Sequence, residues 1–408
     1  MIPISEAIDI IIRETLPLGS ETVELGQSVG RVLAKDVVAD GDLPPFDRSQ
    51  MDGFAVRAMD TKNAPVELRI VGESAAGKGW HRELKSGEAV RIMTGAPVPM
   101  GADAVQKLEL ANENGENVEI RKPVEKGKFI VGKGFEVKKG NSVFAKGEII
   151  SANMVASLAA FGYSAVKVSV TPNVAILSTG SEIVAIDQTP GQDNIRDSNS
   201  AMLKALVEEC GSKAEILPFV GDDFEKLKTD IARAVNREKG GLSTQILIIT
   251  GGVSVGKYDL TKPALLELGA EIFFDRVQLK PGKPTVFGKL NGTLIFGLPG
   301  NPVSAAVTFY LFVRKAVLMM QNALQTGLKQ GFAVLNDPVK GVKERDSYFP
   351  ASLKTDEQGR LLAKPLKWYG SSDFIGFAKA DALIILPKGE TFNKGDVVGI
   401  AYLISSRY

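Results

Sequence analysis

The segment Thr293-Leu294-Ile295-Phe296-Gly297-Leu298-Pro299-Gly300-Asn301-Pro302-Val303-Ser304 decides the fold. It opens with a short apolar run of the kind that forms a buried strand. It closes on a helix start, with Asn301 at the N-cap and Pro302 at the first helical position. Helical periodicity then continues over 303–320. The same strand-to-glycine-loop unit stands twice upstream. Val174 to Leu177 runs into Ser178-Thr179-Gly180-Ser181-Glu182, and Ile246 to Ile249 ends in Thr250-Gly251-Gly252. Around these units the patterns give helices at 200–210, 223–236 and 261–268, and strands at 214–220, 271–277 and 284–288. Such alternation predicts a mostly parallel sheet with helices on both faces. In sheets of that kind ligands bind outside the carboxyl ends of the strands.

Outside 169–325 the pattern is different. Ile4, Ala7, Ile8 and Ile11 mark an amphipathic first helix, followed by short strands at Thr22 to Leu25 and Val37 to Val38 and a stop at Pro44-Pro45. Residues 48–140 are rich in strand formers and turns, with little helical periodicity. A second helix is expected at 151–162, with a serine cap and a glycine stop. It is expected to pack with the first helix, making the β-rich module an insertion. From 326 onward strands return, including a Thr355-Asp356-Glu357-Gln358-Gly359 hairpin signal, a buried-type strand at Ala382 to Leu386 and a last strand from Val397 to Leu403. That is the pattern of a small β barrel or sandwich.

Composition restricts the chemistry. The 49 basic and 48 acidic residues leave a net charge of +1, so nothing marks the whole chain as a nucleic-acid or membrane binder. Any anion site must be built locally. One cysteine, Cys210, and one histidine, His81, exclude an internal disulfide and a Cys/His zinc site. His81 lies in a polar stretch and reads as an exposed loop residue; Cys210 ends a helical pattern and reads as a small core hydrophobe. The work is left to carboxylates, lysines, hydroxyls and backbone amides. No signal peptide is read at the N-terminus and no run of about 18 uncharged apolar residues occurs. A cytoplasmic location is the expectation.

Several segments are candidates for a site. In Lys280-Pro281-Gly282-Lys283-Pro284, the central Pro-Gly predicts a type II turn, which brings Lys280 and Lys283 within about 7 Å. Two ammonium groups so close suit an oxyanion; the other reading is a hairpin turn with two solvated lysines. The helix start at Asn301-Pro302 offers free amides and a dipole, and Ser304 adds a hydroxyl. Gly251-Gly252-Val253-Ser254-Val255-Gly256 lets backbone amides approach a phosphate, but matches no nucleotide fingerprint. Glu182, Asp197, Asp222, Asp223 and Asp259 lie on these loops. Together they suggest Mg²⁺, a hard cation that bridges protein oxygens and phosphate; taken singly, each reads first as a helix cap.

Taken together these segments resemble the MoeA family, which includes the gephyrin E domain. Pro44 to Arg57 is similar to PPFDxSxMDGxAV, Arg91 to Pro99 to RIMTGAPVP, Ser178 to Glu182 to STGxE, and Ile195 to Asn199 to IxDSN. Gly251 to Gly256 reads GGVSVG, Lys280 to Pro284 reads KPGKP, and Gly297 to Ser304 reads GLPGNPVS. The resemblance implies a multidomain α/β plus β protein with an elongated subunit that forms a homodimer. Its parts would be a discontinuous linker and dimerisation domain (1–47 and 141–168), a β-rich insertion domain (48–140), a three-layer α/β/α molybdopterin-binding domain (169–325) and a C-terminal small β barrel (326–408). The implied activity is molybdopterin molybdotransferase: Mg²⁺-dependent insertion of molybdate into adenylylated molybdopterin, with release of AMP. The molybdopterin adenylyltransferase is an implied partner. Lys280, Lys283, Ser304, Arg345 and Ser371 would form the molybdate pocket. Glu182, Asp222 and Asp259 would serve nucleotide and metal, and Asp52 and Thr94 would complete the cleft from the partner subunit. Ser178, Thr179, Gly180, Asp197, Gly251, Gly252, Ser254, Pro299 and Asn301 would bind the cofactor.

The chain also departs from the family pattern. Val131 and Gly132 stand where arginines are common, and Glu136 alone keeps an acidic pair. Lys257 replaces an acidic residue, and Gly221 and Pro350 replace arginines. These changes keep open a non-catalytic paralogue that binds or carries the cofactor as an assembly scaffold. Adenylyltransfer to molybdopterin by the α/β part is a third reading.

Overall fold

A computed structural model of the chain describes residues 1–236, 238–239, 242–252, 260–367 and 370–403. The chain divides into two compact units, Met1–Lys35 with Lys146–Ala152 and Ala165–Tyr408, and Asp36–Ala145 with Asn153–Ser164.

The larger unit is built on a six-stranded sheet. Its spatial order is Lys213–Ile216, Asn173–Ser178, Ile246–Thr250, Thr293–Leu298, Val286–Leu290 and Glu271–Phe274. The first four strands are parallel, and Val286–Leu290 runs antiparallel to both of its neighbours. Side chains alternate across the buried strands, as a period of two demands. Ile176, Ile248 and Phe296 enter one core; Leu177, Ile249 and Ile295 enter the other. Helices Phe224–Val235 and Thr261–Glu267 cover the second face, and Ser198–Glu209 and Pro302–Met320 cover the first. This is the three-layer arrangement expected from the alternation.

The helix Pro302–Met320 is long and apolar enough to cross a membrane, yet 78% of that apolar window is buried. Phe309, Phe312, Val313 and Val317 are fully enclosed in the core. The first helix, Ile4–Glu14, packs here as well, burying Ala7 and Ile11 completely. The second helix is Ala152–Ala160. The apolar stripe Ile4, Ala7, Ile11 is spent on the α/β core. The strand expected over 214–220 is also shorter, ending at Ile216, with Val220 rejoining the sheet in a single bridge to Thr179.

The C-terminal strands close on themselves. Asp346–Thr355 pairs with Leu361–Pro365, that strand with Gln330–Leu335, then come Val397–Tyr402 and Ala382–Leu386, and the last returns to Asp346–Thr355. The ring is a five-stranded barrel around Ala351, Ala363, Ile384 and Ile400, all fully buried. Closure removes the edges that a small sheet would otherwise expose. Leu279–Lys280 joins the outside of this ring as a short strand parallel to Asp346–Ser347.

In the smaller unit a mixed sheet runs Ala104–Lys107, Gly53–Val56, Glu88–Ile92, Val66–Ser74, Asn117–Ile120 and Ala111–Asn114. Phe54 and Ile120 are fully buried in the core on one side of it.

Candidate active site

The parallel strands Asn173–Ser178, Ile246–Thr250 and Thr293–Leu298 end side by side, and their loops share backbone hydrogen bonds. The Thr179 amide donates to the Thr250 carbonyl (2.9 Å), the Gly251 amide to that of Leu298 (3.2 Å), and the Gly180 amide to that of Val220 (3.0 Å). A cleft of about 810 Å³ opens at this edge. Ser178, Thr179 and Glu182 line one side of it. Thr250, Gly251 and Gly252 form a second, and Pro299, Gly300, Asn301 and Pro302 a third. Asp197 and Asn199, at the start of helix Ser198–Glu209, close it. Gly251 must be glycine. Its φ is +92°, and a Cβ would collide with the Thr179 carbonyl.

The lysine loop lies against the same helix whose tip borders the cleft. A Cβ on Gly282 would come within 2.5 Å of Thr308 Cγ2, one turn beyond Ser304. Pro281 and Gly282 are buried, while Lys280 and Lys283 are exposed. The loop has the positive φ at Gly282 (+116°) that a type II turn requires, together with a cis Lys280–Pro281 bond that the type II expectation did not include. Tertiary hydrogen bonds hold it. The Val277 amide donates to the Lys283 carbonyl (3.0 Å), and the Thr285 hydroxyl to that of Gly282 (2.7 Å). Pro284 lines the cleft; the two lysines do not, and Arg196 is the cation among the described lining residues.

Asn301 occupies the N-cap, but its side chain makes no capping bond. Its Nδ2 donates instead to Ser371 Oγ (2.8 Å), and the Val303 amide donates to the Ser371 carbonyl (3.1 Å). The helix start is thus fastened to the segment that carries Ser371. Ser304 is buried two residues further on. Arg345 donates from Nη1 to the Leu279 carbonyl (3.4 Å), which brings it to the strand leading into Lys280.

Among the acidic candidates, Asp222 and Ser181 bond reciprocally. The Ser181 hydroxyl donates to Asp222 Oδ2 (2.9 Å) and the Asp222 amide to Ser181 Oγ (3.0 Å). Asp222 is therefore fixed next to the loop that carries Glu182. Asp197 and Asp223 are true caps, accepting from the amides of Ser200 and Lys226. Asp259 and Ser254 lie outside the described residues, as does Lys257. Among the described residues no group of three or more Asp, Glu, His or Cys side chains gathers around a common point. A cation held by one or two carboxylates and by substrate phosphates needs no such group. Glu182 and Asp222, with hard oxygen donors on linked loops, fit that mode.

Asp52 and Thr94 meet within the smaller unit. Asp52 Oδ1 accepts from the Thr94 amide (2.6 Å) and hydroxyl (2.9 Å), and these two bonds hold its carboxyl below the ordinary carboxylate range. Cys210 is a buried core residue whose thiol is pushed up to about 12 by that burial, and His81 is exposed.

Among the cleft residues that escaped the sequence reading as site residues are Asn199 and Thr250. Thr250 was seen only as a strand end. Asn199 belongs to the quoted Ile195 to Asn199 segment, but nothing in the spacing says that its carboxamide turns into the sheet edge.

Three family models match the chain in order. They are the MoeA N-terminal region (domains I and II) over residues 2–162, a probable molybdopterin binding domain over 175–319, and the MoeA C-terminal region (domain IV) over 333–403. A molybdopterin molybdenumtransferase of Staphylococcus aureus strain COL is 34% identical over 404 residues, covering 98% of this chain and 95% of the relative. One from Bacillus subtilis strain 168 is 34% identical over 398 residues, covering 95% and 90%. The crystal structure of the molybdopterin biosynthesis MoeA protein from Pyrococcus horikoshii OT3 superposes with a TM-score of 0.84 at 31% identity, over 99% of this chain and 100% of that one.

Proposed function

The chain belongs to the MoeA family, and from that premise we propose that it is a molybdopterin molybdenumtransferase, inserting molybdate into adenylylated molybdopterin with Mg²⁺-dependent release of AMP. One observation carries the reading. Loops at the carboxyl edge of the α/β sheet share a single cleft, bordered by the start of a long helix on which the Lys280–Lys283 loop is seated. Both substrates are multiply charged oxyanions, and backbone amides, helix starts and ammonium groups are what neutralises such ligands. The site needs neither histidine nor thiol, because the reaction is governed by positioning and charge.

In this reading Lys280, Lys283, Ser304, Arg345 and Ser371 orient molybdate. Ser178, Thr179, Gly180, Asp197, Gly251, Gly252, Ser254, Pro299 and Asn301 take the adenylylated molybdopterin. Glu182 and Asp222, with Asp259, hold Mg²⁺, which supplies charge neutralisation at the phosphates. Asp52 and Thr94 serve the cleft of a second subunit in a homodimer, and the molybdopterin adenylyltransferase hands over its product in the cytoplasm.

The test mixes purified protein, adenylylated molybdopterin, Mg²⁺ and molybdate, and follows AMP. Molybdate-dependent release well above that of Lys283→Ala is expected. Release no greater than that variant's would favour the cofactor-binding scaffold.

A further inference from the structure

Asn199 stands at the cleft with half of its carboxamide unused. It is 9% exposed, and its Nδ2 donates to Thr250 Oγ1 (2.9 Å) and to the Gly300 carbonyl (2.7 Å). The assignment of nitrogen and oxygen is fixed by chemistry. A backbone carbonyl only accepts, so the atom facing Gly300 must be the nitrogen. The Thr250 hydroxyl in turn donates to the Pro299 carbonyl (3.4 Å), which leaves its lone pair for Asn199. Both N–H groups are thereby consumed. Oδ1 is enclosed and has no hydrogen-bond partner among the described residues.

A second unpartnered atom lies one hydrogen-bonded step away. Thr179 is 7% exposed and its Oγ1 has no partner among the described residues, although its own amide donates to the Thr250 carbonyl. Thr179, Thr250 and Asn199 all line the cleft. Enclosed polar atoms in native proteins are nearly always satisfied, so two orphans around one residue of a cleft call for a ligand that completes them. A carboxamide oxygen offers only lone pairs. It repels phosphate and molybdate oxygens, which also offer only lone pairs. The group that reaches Asn199 must instead be a neutral donor.

We infer that Asn199 Oδ1, supported by Thr179 Oγ1, is a specificity determinant that accepts a hydrogen bond from a neutral ring amino group of the substrate, outside its anionic part. This rests on reading the cleft as the substrate site. Lysines and amides then hold the charge, and Asn199 decides which uncharged group is attached to it. Sites built to bond a particular donor reject analogues that lack it, because the buried acceptor is left bare.

The experiment measures calorimetric affinities of the full chain for two ligand pairs. One is AMP against its analogue lacking the 6-amino group. The other is a soluble 6-substituted pterin against its analogue lacking the 2-amino group. In the unaltered protein one pair should differ by roughly tenfold. In Asn199→Ala that ratio should fall to near one. A merely structural clip would weaken both members equally and leave the ratio intact. Thr179→Val removes an unbonded hydroxyl and keeps the shape, so its unfolding midpoint should not drop, and it too should shrink the ratio. Loss confined to the AMP pair assigns the nucleoside as donor, and loss confined to the pterin pair assigns the pterin. Ratios unchanged in both folded variants, or near one in the unaltered protein for both pairs, would overturn the inference. Binding is read without turnover, so a failed AMP-release assay would sink the transferase reading while leaving this ratio standing.

Discussion

Replacing Gly282 with alanine should unseat the lysine loop, and the size of the effect can be worked from its surroundings. The φ of +116° lies in a region that residues with a Cβ avoid, at a cost of about 1–3 kcal/mol. The new methyl would also fall 2.5 Å from Thr308 Cγ2 and 3.0 Å from Leu279 Cδ2. Overpacking of that kind adds about 1–3 kcal/mol. The expected total is roughly 2–6 kcal/mol, or a loop displaced enough to avoid it. Displacement moves Lys280 and Lys283, so molybdate-dependent AMP release should fall by about a hundredfold, while AMP binding at the glycine loops holds. The second half of the test is Thr308→Ser in the Gly282→Ala background. Serine keeps the hydroxyl that bonds the Ser304 and Ala305 carbonyls and removes the methyl that clashes. It should restore the overpacking part and leave the backbone part. Alone it should cost about 0.8 kcal/mol for one buried methyl. Denaturant midpoints and AMP release are measured for the four proteins of the cycle. A Gly282→Ala midpoint equal to that of the unaltered chain, or no recovery on adding Thr308→Ser, would refute the claim that this helix braces the loop.

Three further outcomes are expected. Thr94→Ala should raise the Asp52 titration, followed by carboxyl NMR, toward the ordinary 3.8. The shift is partial, because the Thr94 amide, the larger cause, still donates in the variant. Because the folded value is depressed, the contact's contribution to stability is full above the ordinary range and is lost as pH falls through the lowered value; an unmoved titration would show that the Thr94 hydroxyl is not among its causes. Cys210, with a thiol pushed up to about 12, should resist alkylation at pH 8 until the chain unfolds, and rapid labelling of the native protein would contradict its burial. Ser181→Ala should raise the Mg²⁺ concentration needed for half-maximal AMP release, since it frees Asp222; an unaltered requirement would count against Asp222 as a ligand.

The α/β sheet was legible because its strands are buried on both faces and so read as unbroken apolar runs, while each exit needs glycine or a capped helix. The barrel's strands were legible too, but closure was not: it depends on the return of Ala382–Leu386 to Asp346–Thr355, a pairing with no local signature. That the first helix buries its stripe in the α/β core was not legible, because an apolar stripe states that a face is buried, not against what. At the site, residue types pointed to oxyanions, yet the side-chain partners were hidden. Asn301 looked like a cap and was one by backbone alone, because Ser371, seventy residues on, competes for its carboxamide. Asn199 could not be singled out, since what distinguishes it is a proton inventory that depends on Thr250, Pro299 and Gly300 meeting in space.

The departures from the family pattern can be weighed the same way. Val131 is buried and sits in a short strand against Arg48–Ser49, so an apolar side chain suits that position. The acidic residue that remains nearby, Glu136, pairs with Arg48 (3.0 Å), and Asp47 accepts from the Lys133 amide (2.7 Å). The charges of that loop are thus matched within the smaller unit without the missing arginines. Pro350 is buried in the barrel wall opposite Leu383, where a guanidinium would have to be enclosed at high cost. Its carbonyl still accepts from the Leu366 amide (2.9 Å), so the strand keeps its bonding on that side. Of the two arginines the family pattern places in the barrel, Arg345 is kept, and it is anchored to the strand that delivers Lys280. Substitutions that are each absorbed by their own surroundings mark a site that has lost peripheral charges while its loop framework stays intact. An assembly scaffold freed from catalysis has no need of a glycine pinned at +116° against a helix.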